Sequence, residues 1–284
     1  MTNEHLTFLE VIKLSTDYLN KKGVPNSKVD TEWIVSSVTG KKRIELYLQF
    51  EDLVNKEELM QIRNLIVARG KRIPLQHILG RINFADNEML CDNRALIPRP
   101  ETEYLTELVI EKLGKNFCGS ILDLGTGSGA IILALCKTLK SARGVGLDKS
   151  QNAISLSKEN LKLNNIKNVR FEKLDWYSDK IEDSFDVIIS NPPYLSEEEW
   201  ANAEPEVNKF DPKTALVANQ NGIADLKKII KLSEVNLKKG GTLFLEIGTD
   251  QKDALKENLK NNFENIEILK DLSNYDRFIF AQKI

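Results

Sequence analysis

From about residue 120 onward, short apolar runs alternate with longer amphipathic stretches, and few architectures tolerate that order. SILDLG (120–125), GVGLD (144–148), VRFEKLD (169–175), FDVIIS (185–190), GTLFLEIG (241–248), IEILKD (266–271) and RFIFAQ (277–282) have the Val, Ile, Leu and Phe content of buried strands. Helical spacing occupies AIILALCKTLK, QNAISLSKENLKLNN and GIADLKKIIKLSEVNLKKG between the earlier runs. A parallel strand pair needs a crossover long enough to hold a helix, so this alternation builds a parallel sheet with helices on both faces. The last two runs follow one another without a full helix, which predicts an antiparallel hairpin at one edge. The expected fold class is α/β, with seven strands in a mostly parallel sheet.

The first seventy residues read as helices instead. SKVDTEWIV opens with Ser27 and, three residues on, Asp30. NKEELMQIRNLIVARG has the Asn55/Glu58 spacing of a capping box, Leu59, Ile62, Leu65 and Ile66 on one face, and Gly70 as a stop. From Lys71 the pattern breaks into short apolar pieces separated by Gly, Asn, Asp and Pro, which suits a hairpin or connector. TEYLTELVIEKLG then forms an amphipathic helix ending at Gly114. A chain of 284 residues exceeds the usual single domain. The expected organisation is a small helical domain (1–72), a hairpin-like connector (73–95) and a large α/β domain (96–284).

Composition removes several kinds of chemistry. Cys91, Cys118 and Cys136 are odd in number and contain no C-x-x-C, against a disulfide framework or a zinc site, so no metal is expected. His5 and His77 are the only histidines, which disfavours His-metal clusters and Ser-His catalysis. A net charge of -2 without a basic block disfavours stable nucleic-acid binding. No apolar stretch approaches the ~20 residues that span a bilayer, and MTNEHLTFLE lacks the order of a secretion signal. A cytoplasmic monomer with no membrane partner is expected.

DLGTGSGA (Asp123 to Ala130) lies between the first strand of the alternation and a helix, where glycines let a ligand approach the backbone closely. Gly125, Gly127 and Ala130 fit the Rossmann-type dinucleotide fingerprint, and Asp148 stands at the next strand end, where a carboxylate accepts from ribose hydroxyls. A nicotinamide dinucleotide enzyme is one reading. S-adenosylmethionine is the other, because Asp123, two positions before the first glycine, is placed for a cation. LDWY (174–177) adds an acid and an aromatic, Asp175 and Trp176, at the third strand end, suited to an adenine edge and face. Ligands of open α/β sheets bind beyond the carboxyl ends of strands, so the joint occurrence of these residues favours a nucleoside cofactor there.

The fourth strand ends in NPPY, Asn191 to Tyr194. Each proline fixes its φ and lacks an N–H, so the segment is stiff and its carbonyls are left to accept. Beside a methyl sulfonium this would be an acceptor pocket for a planar nitrogen. The Asn191 oxygen and the Pro192 carbonyl would align an NH2 group and stabilise charge growing on it, Pro193 would shape the pocket, and Tyr194 would stack.

In this order DLGTGSGA, GLDKS, LDWY and SNPPY resemble class I S-adenosylmethionine-dependent methyltransferases acting on planar nitrogens. With PLQHILG, LIPRPETE, DPKTAL, LEIGTDQ and DLSNYDRF, the chain resembles the bacterial peptide chain release factor glutamine methyltransferase (PrmC/HemK) family from about residue 5 to its end. The resemblance implies a class I methyltransferase domain behind a helical substrate-recognition domain, and as substrate the glutamine of the Gly-Gly-Gln loop of class I release factors. It implies cofactor binding by Gly125, Thr126, Gly127, Ser128, Gly129, Asp148 and Trp176, joined by the Asp123 and Asp175 read above. Asn191 would touch cofactor and substrate. IPRPETE separates this family from ribosomal-protein glutamine methyltransferases, and Arg99 and Glu101 within it are expected to shape the substrate pocket. Asp211-Pro212 stands where the family usually has Glu-Pro, and Cys91 and RINFADNEML also depart from it. A nucleic-acid base methyltransferase, a methyltransferase acting on a ribosomal-protein glutamine and a non-catalytic adaptor of a translation factor are the competing readings.

Overall fold

In the computed structural model, which describes residues 5–284, two compact units divide between Gly80 and Arg81. The first four residues, part of the segment read for a secretion signal and of the helical domain, lie outside the described residues.

The first unit comprises β1 (Leu6–Thr7), α1 (Phe8–Lys21), α2 (Ser27–Thr39), α3 (Arg43–Leu48), β2 (Leu53–Val54), α4 (Lys56–Gly70) and α5 (Leu75–Leu79). Capping boxes start α1 at Thr7/Glu10 and α4 at Asn55/Glu58, where side chain and backbone satisfy each other's orphan donors. The Ser27/Asp30 pair does something else. Asn26 is the N-cap of α2, the Ser27 hydroxyl donates to the Val24 carbonyl at 2.7 Å, and Asp30 accepts from buried Arg69 of α4 at 2.7 Å. Asp30 therefore ties two helices together instead of closing one. β1 and β2 pair antiparallel, an element the all-helical reading lacked. Leu19, Ile34, Leu46 and Ile62 are fully buried at the centre of this unit.

The second unit opens with a hairpin, β3 (Arg81–Phe84) and β4 (Asn87–Leu90), turning through Ala85 and Asp86 at φ +44° and +61°. α6 (Pro100–Leu113), β5 (Ser120–Leu124), α7 (Ala130–Thr138), β6 (Arg143–Asp148), α8 (Gln151–Leu163), β7 (Val169–Lys173) and β8 (Phe185–Ser190) follow. After the helix Ala224–Asn236 come β9 (Leu237–Glu246), the helix Lys252–Leu259, β10 (Phe263–Lys270) and β11 (Asp276–Lys283). The seven strands form one sheet ordered β10-β11-β9-β8-β5-β6-β7, with β11 antiparallel to both neighbours and the others parallel. Alternation along each strand splits the core. Ile121, Val187, Ile189 and Phe244 pack toward α6 and α7, whereas Leu122, Leu124, Ile188 and Leu245 pack toward the helices 224–236 and 252–259.

The junction before β9 and the stretch after it differ most from expectation. The helix 224–236 ends before Lys238-Lys239-Gly240, and β9 starts at Leu237, paired with Phe185. A register shift around Gly240, at φ +75°, then brings Thr242 opposite Val187. The helix Lys252–Leu259 was not expected; it buries only Leu255 and Leu259 in a stretch otherwise charged.

From β5 the chain steps to β6 on one side and later to β8 on the other, so the switch of strand order falls beside β5. A crevice opens at such a point beyond the carboxyl ends of the strands.

Candidate active site

The glycine loop is folded onto the ends of β5 and β6. Gly125, Gly127 and Gly129 have φ of +74°, +55° and +85°, which only glycine adopts freely. The amides of Gly125 and Thr126 both donate to the Leu147 carbonyl at 2.9 Å, Gly127 donates to Asp148 Oδ2 at 2.9 Å, and Gly129 donates to the Thr126 carbonyl at 2.8 Å. Ser190 Oγ donates to the Leu124 carbonyl at 2.5 Å, which binds the end of β8 to the end of β5 and sets Asn191 beside the loop. Asn160 of α8 holds the loop from behind, donating to the Ser128 carbonyl at 3.0 Å while accepting from the Leu90 amide at 2.7 Å.

A cavity forms there, walled by Gly125 to Ser128, by Asp148 to Ser150, and by Trp176. Asn191 and Pro193 face it from the end of β8, Arg99 and Thr102 from the start of α6, and Pro212, Thr214 and Ala215 from the loop before residue 219. Of the residues singled out from sequence, Gly125, Thr126, Gly127, Ser128, Asp148, Trp176, Asn191, Pro193 and Arg99 thus share one wall system.

The remaining ones sit behind it or away from it. Asp123 is fully buried and accepts from Thr126 Oγ1 at 2.6 Å, while its Oδ1 has no hydrogen-bond partner. Burial, reinforced by the charge of Asp148, pushes its carboxyl up to about 7 against the pull of the Thr126 hydroxyl. Gly129 is the N-cap of α7, and a Cβ there would meet Phe171 at 2.9 Å, so its role is close packing. Asp175 lies beyond the end of β7, where its carboxylate accepts from the Tyr177 amide at 3.0 Å in a local turn. Pro192 is buried, and Glu101 is exposed at the start of α6. Tyr194 packs against the second apolar cluster and donates to Glu246 Oε1 at 3.3 Å, so its ring is not on the cavity wall.

Arg99 pairs with Asp211 at 2.6 Å, and the same buried carboxylate accepts from the Ile97 amide at 3.4 Å. The shorter acid at 211 therefore still clamps the Ile97–Arg99 turn. Cys91 is buried and its thiol is pushed up to about 12 by burial, which leaves it protonated and inert.

Sequence reasoning missed three residues of the site. Thr102 receives the Asn191 Nδ2 donor at 2.8 Å and passes its own hydrogen to Glu246 Oε2 at 2.8 Å. Glu246, at the end of β9, is fully buried; burial pushes it up to about 7, opposed by the Thr102 bond and the Arg277 charge. Asp225 accepts from the Trp176 indole at 3.2 Å and fixes that ring over Gly125. The run LEIGTDQ was the available signal, since it supplies Glu246 and also Gln251, which donates to the Tyr194 carbonyl at 2.8 Å.

These residues fit one kind of cofactor better than another. Four loop amides are already engaged, and the Asp148 carboxyl stands on the cavity wall beside them, so a pyrophosphate finds few free donors and an acidic neighbour. A ribose diol and a cationic centre suit it. Each Asp148 oxygen accepts one backbone N–H, from Gly127 or Ser150, and keeps a lone pair for a hydroxyl, and Asp123 Oδ1 is a buried acceptor without a donor. Among the described residues no group of three or more His, Cys, Asp or Glu could hold a metal ion.

Comparison with known proteins agrees with this geometry. Residues 118–281 match the family model of a methyltransferase domain, and residues 10–80 match that of the PrmC N-terminal domain. A release factor glutamine methyltransferase of Fusobacterium nucleatum is 39% identical over 97% of this chain and 78% of its own length. That of Thermodesulfovibrio yellowstonii is 38% identical over 89% of this chain and 92% of its own, and that of Aliivibrio fischeri 34% over 98% of both. The chain belongs to the release factor glutamine methyltransferase family. The match to relatives of this family runs through both units, and with 98% of the chain covered it takes in the segments that line the cavity, from Arg94 to Ala215. In this release factor glutamine methyltransferase relative the dinucleotide reading of the loop is therefore set aside.

Proposed function

We infer that this chain transfers a methyl group from S-adenosylmethionine to the side-chain amide nitrogen of the glutamine in the Gly-Gly-Gln motif of class I peptide chain release factors. The names of the relatives support the substrate, and the structural observation that carries the chemistry is the orientation of Asn191. Its Nδ2 is committed to Thr102, so Oδ1 is the atom left to meet a ligand in the cavity beside the glycine loop.

S-adenosylmethionine, when bound, supplies an electrophilic methyl carbon on a sulfonium. Gly125 to Ser128 would hold it along the loop, Asp148 would accept from its ribose hydroxyls, and Trp176 would cover the adenine, with Asp123 bracing the loop from behind through Thr126. An amide nitrogen is a poor nucleophile because its lone pair is delocalised. Asn191 Oδ1 and the Pro192 carbonyl would accept from its two N–H groups, fix its plane and stabilise the positive charge that grows on nitrogen. Proton loss to water follows transfer, so no imidazole base is required. Pro193 shapes the wall, and Tyr194 acts through Glu246 rather than by stacking. Arg99, clamped by Asp211, and exposed Glu101 stand where the substrate loop enters, and the helical unit serves recognition of the factor.

Among the described residues no helix is long and apolar enough to cross a membrane. With a net charge of -2 and a protein substrate used in translation, the chain acts in the cytoplasm, as a monomer and without stable nucleic-acid binding. The base-methylating alternative is not favoured. Tandem mass spectrometry of the factor after reaction tests the reading: one methyl on the Gly-Gly-Gln glutamine is expected, and a methyl elsewhere, or only on added nucleic acid, would overturn it.

A further inference from the structure

The two ends of an Asn side-chain amide are nearly isosteric, so packing alone does not decide whether oxygen or nitrogen faces a ligand. The reading above needs the oxygen there. What decides it is a chain of hydrogen bonds running away from the cavity. An ionised Glu246 only accepts; it takes the Thr102 hydroxyl at 2.8 Å on Oε2 and the Tyr194 hydroxyl at 3.3 Å on Oε1. Thr102 has one hydrogen, and once that is given to Glu246 it offers only lone pairs to Asn191. Asn191 must then present Nδ2 to Thr102, at 2.8 Å, and Oδ1 to the opposite side.

We propose that Glu246 is a positioning residue which, relayed by the single hydrogen of Thr102, sets the polarity of the Asn191 amide and so makes the cavity accept, rather than repel, a substrate NH2 group. This rests on the functional reading above. Three segments far apart in sequence meet in it: the start of α6, the loop after β8 and the end of β9. The charged and titratable groups around Glu246 are Arg277 of β11, Glu101 of α6 and Tyr194. Arg277 Nη1 donates to the Ile247 carbonyl at 3.1 Å and Nε to Asp271 at 3.1 Å, so it supplies positive potential near Glu246 while bonded elsewhere. A reversed relay would aim Nδ2 at the substrate nitrogen, setting donor against donor.

The test is an epistasis cycle measured as single-turnover methyl transfer at saturating S-adenosylmethionine. Thr102→Val removes the hydroxyl at constant shape and is expected to slow transfer roughly tenfold or more, in the range for loss of a preorganised bond. Cofactor affinity is expected to change by less than about threefold, since the relay acts on the substrate side, and Thr102→Ser is expected to restore most of the rate. In an Asn191→Ala background Thr102→Val should have no further effect. An undiminished effect there, failure of Ser to restore the rate, or a normal rate for Thr102→Val would each overturn the proposal. Thermal melting accompanies each variant, and Thr102→Ala replaces Val in the cycle if Val does not fold. A wild-type chain that methylates no release factor would instead defeat the functional reading itself.

Discussion

Trp176 covers Gly125 so closely that a Cβ on the glycine would stand 3.3 Å from its Cη2 atom. Gly125 also has φ +74°, and Asp225 holds the indole from the far side at 3.2 Å, so neither partner yields easily. A left-handed conformation costs a residue with a Cβ about 1–2 kcal/mol. Gly125→Ala is expected to weaken S-adenosylmethionine binding roughly tenfold, because both the loop and the ring above it must shift, and calorimetric titration would show it. Unchanged affinity would mean that Trp176 does not wall the cofactor.

Asp123 and Glu246 predict a stability that falls as pH rises. Burial lifts both carboxyls to about 7 from ordinary values of 3.8 and 4.5. Between about pH 4 and 7 the folded chain keeps protons that the unfolded chain has released, so the contribution of these two groups is fully present below that window and is lost through it. For Glu32, Asp186 and Asp271 burial is the largest single effect and raises them, but their hydrogen bonds and cations together outweigh it and hold them down, so they act below the window. Urea midpoints of the cofactor-free chain should therefore be lower at pH 8 than at pH 5, and Asp123→Asn or Glu246→Gln should each shrink the difference.

Turnover should have an acid limb for a separate reason. Protonated Glu246 can donate to Thr102, which frees Thr102 to donate onward and permits the reversed Asn191 amide. At saturating cofactor, wild-type turnover is expected to decline below about pH 7, the value to which burial raises Glu246. Glu246→Gln carries no titration there, so its profile should lose that limb. The same limb in both would assign it to another group.

Asn160 joins the hairpin to the glycine loop through the Leu90 backbone and the Ser128 carbonyl, and it is fully buried. Its loss strands buried backbone groups, each costing about 1–3 kcal/mol. Asn160→Ala should lower unfolding free energy by about 2–4 kcal/mol in a urea titration. A change below about 0.5 kcal/mol, the usual surface effect, would contradict the pinning role.

Much of this was legible because it is local. Buried parallel strands read as continuous apolar runs, and glycines between strand and helix mark a loop against which a ligand can lie. The relay was not legible, because Thr102 is 89 residues from Asn191 and 144 from Glu246, and only the order of β8, β5 and β9 in the sheet brings them together. Asp175 is ambiguous for the opposite reason: an acid just past a strand suits both a ligand and the turn beside it, and the structure shows its bond to that turn. Tyr194 was expected as a stacking wall, yet its hydroxyl finds a buried carboxylate and turns the ring to the core side. Lys238 to Gly240 concealed the start of β9, since a bulged, exposed segment carries no alternation.

In the proposed function, Asn191 Oδ1 aligns the glutamine amide for transfer. The most direct test of this is the single-turnover rate of Asn191→Ala with saturating tritiated S-adenosylmethionine and a class I release factor, with cofactor affinity measured in parallel. A rate reduced by roughly 10²-fold or more at nearly unchanged affinity is expected. A rate close to wild type with binding intact would contradict it.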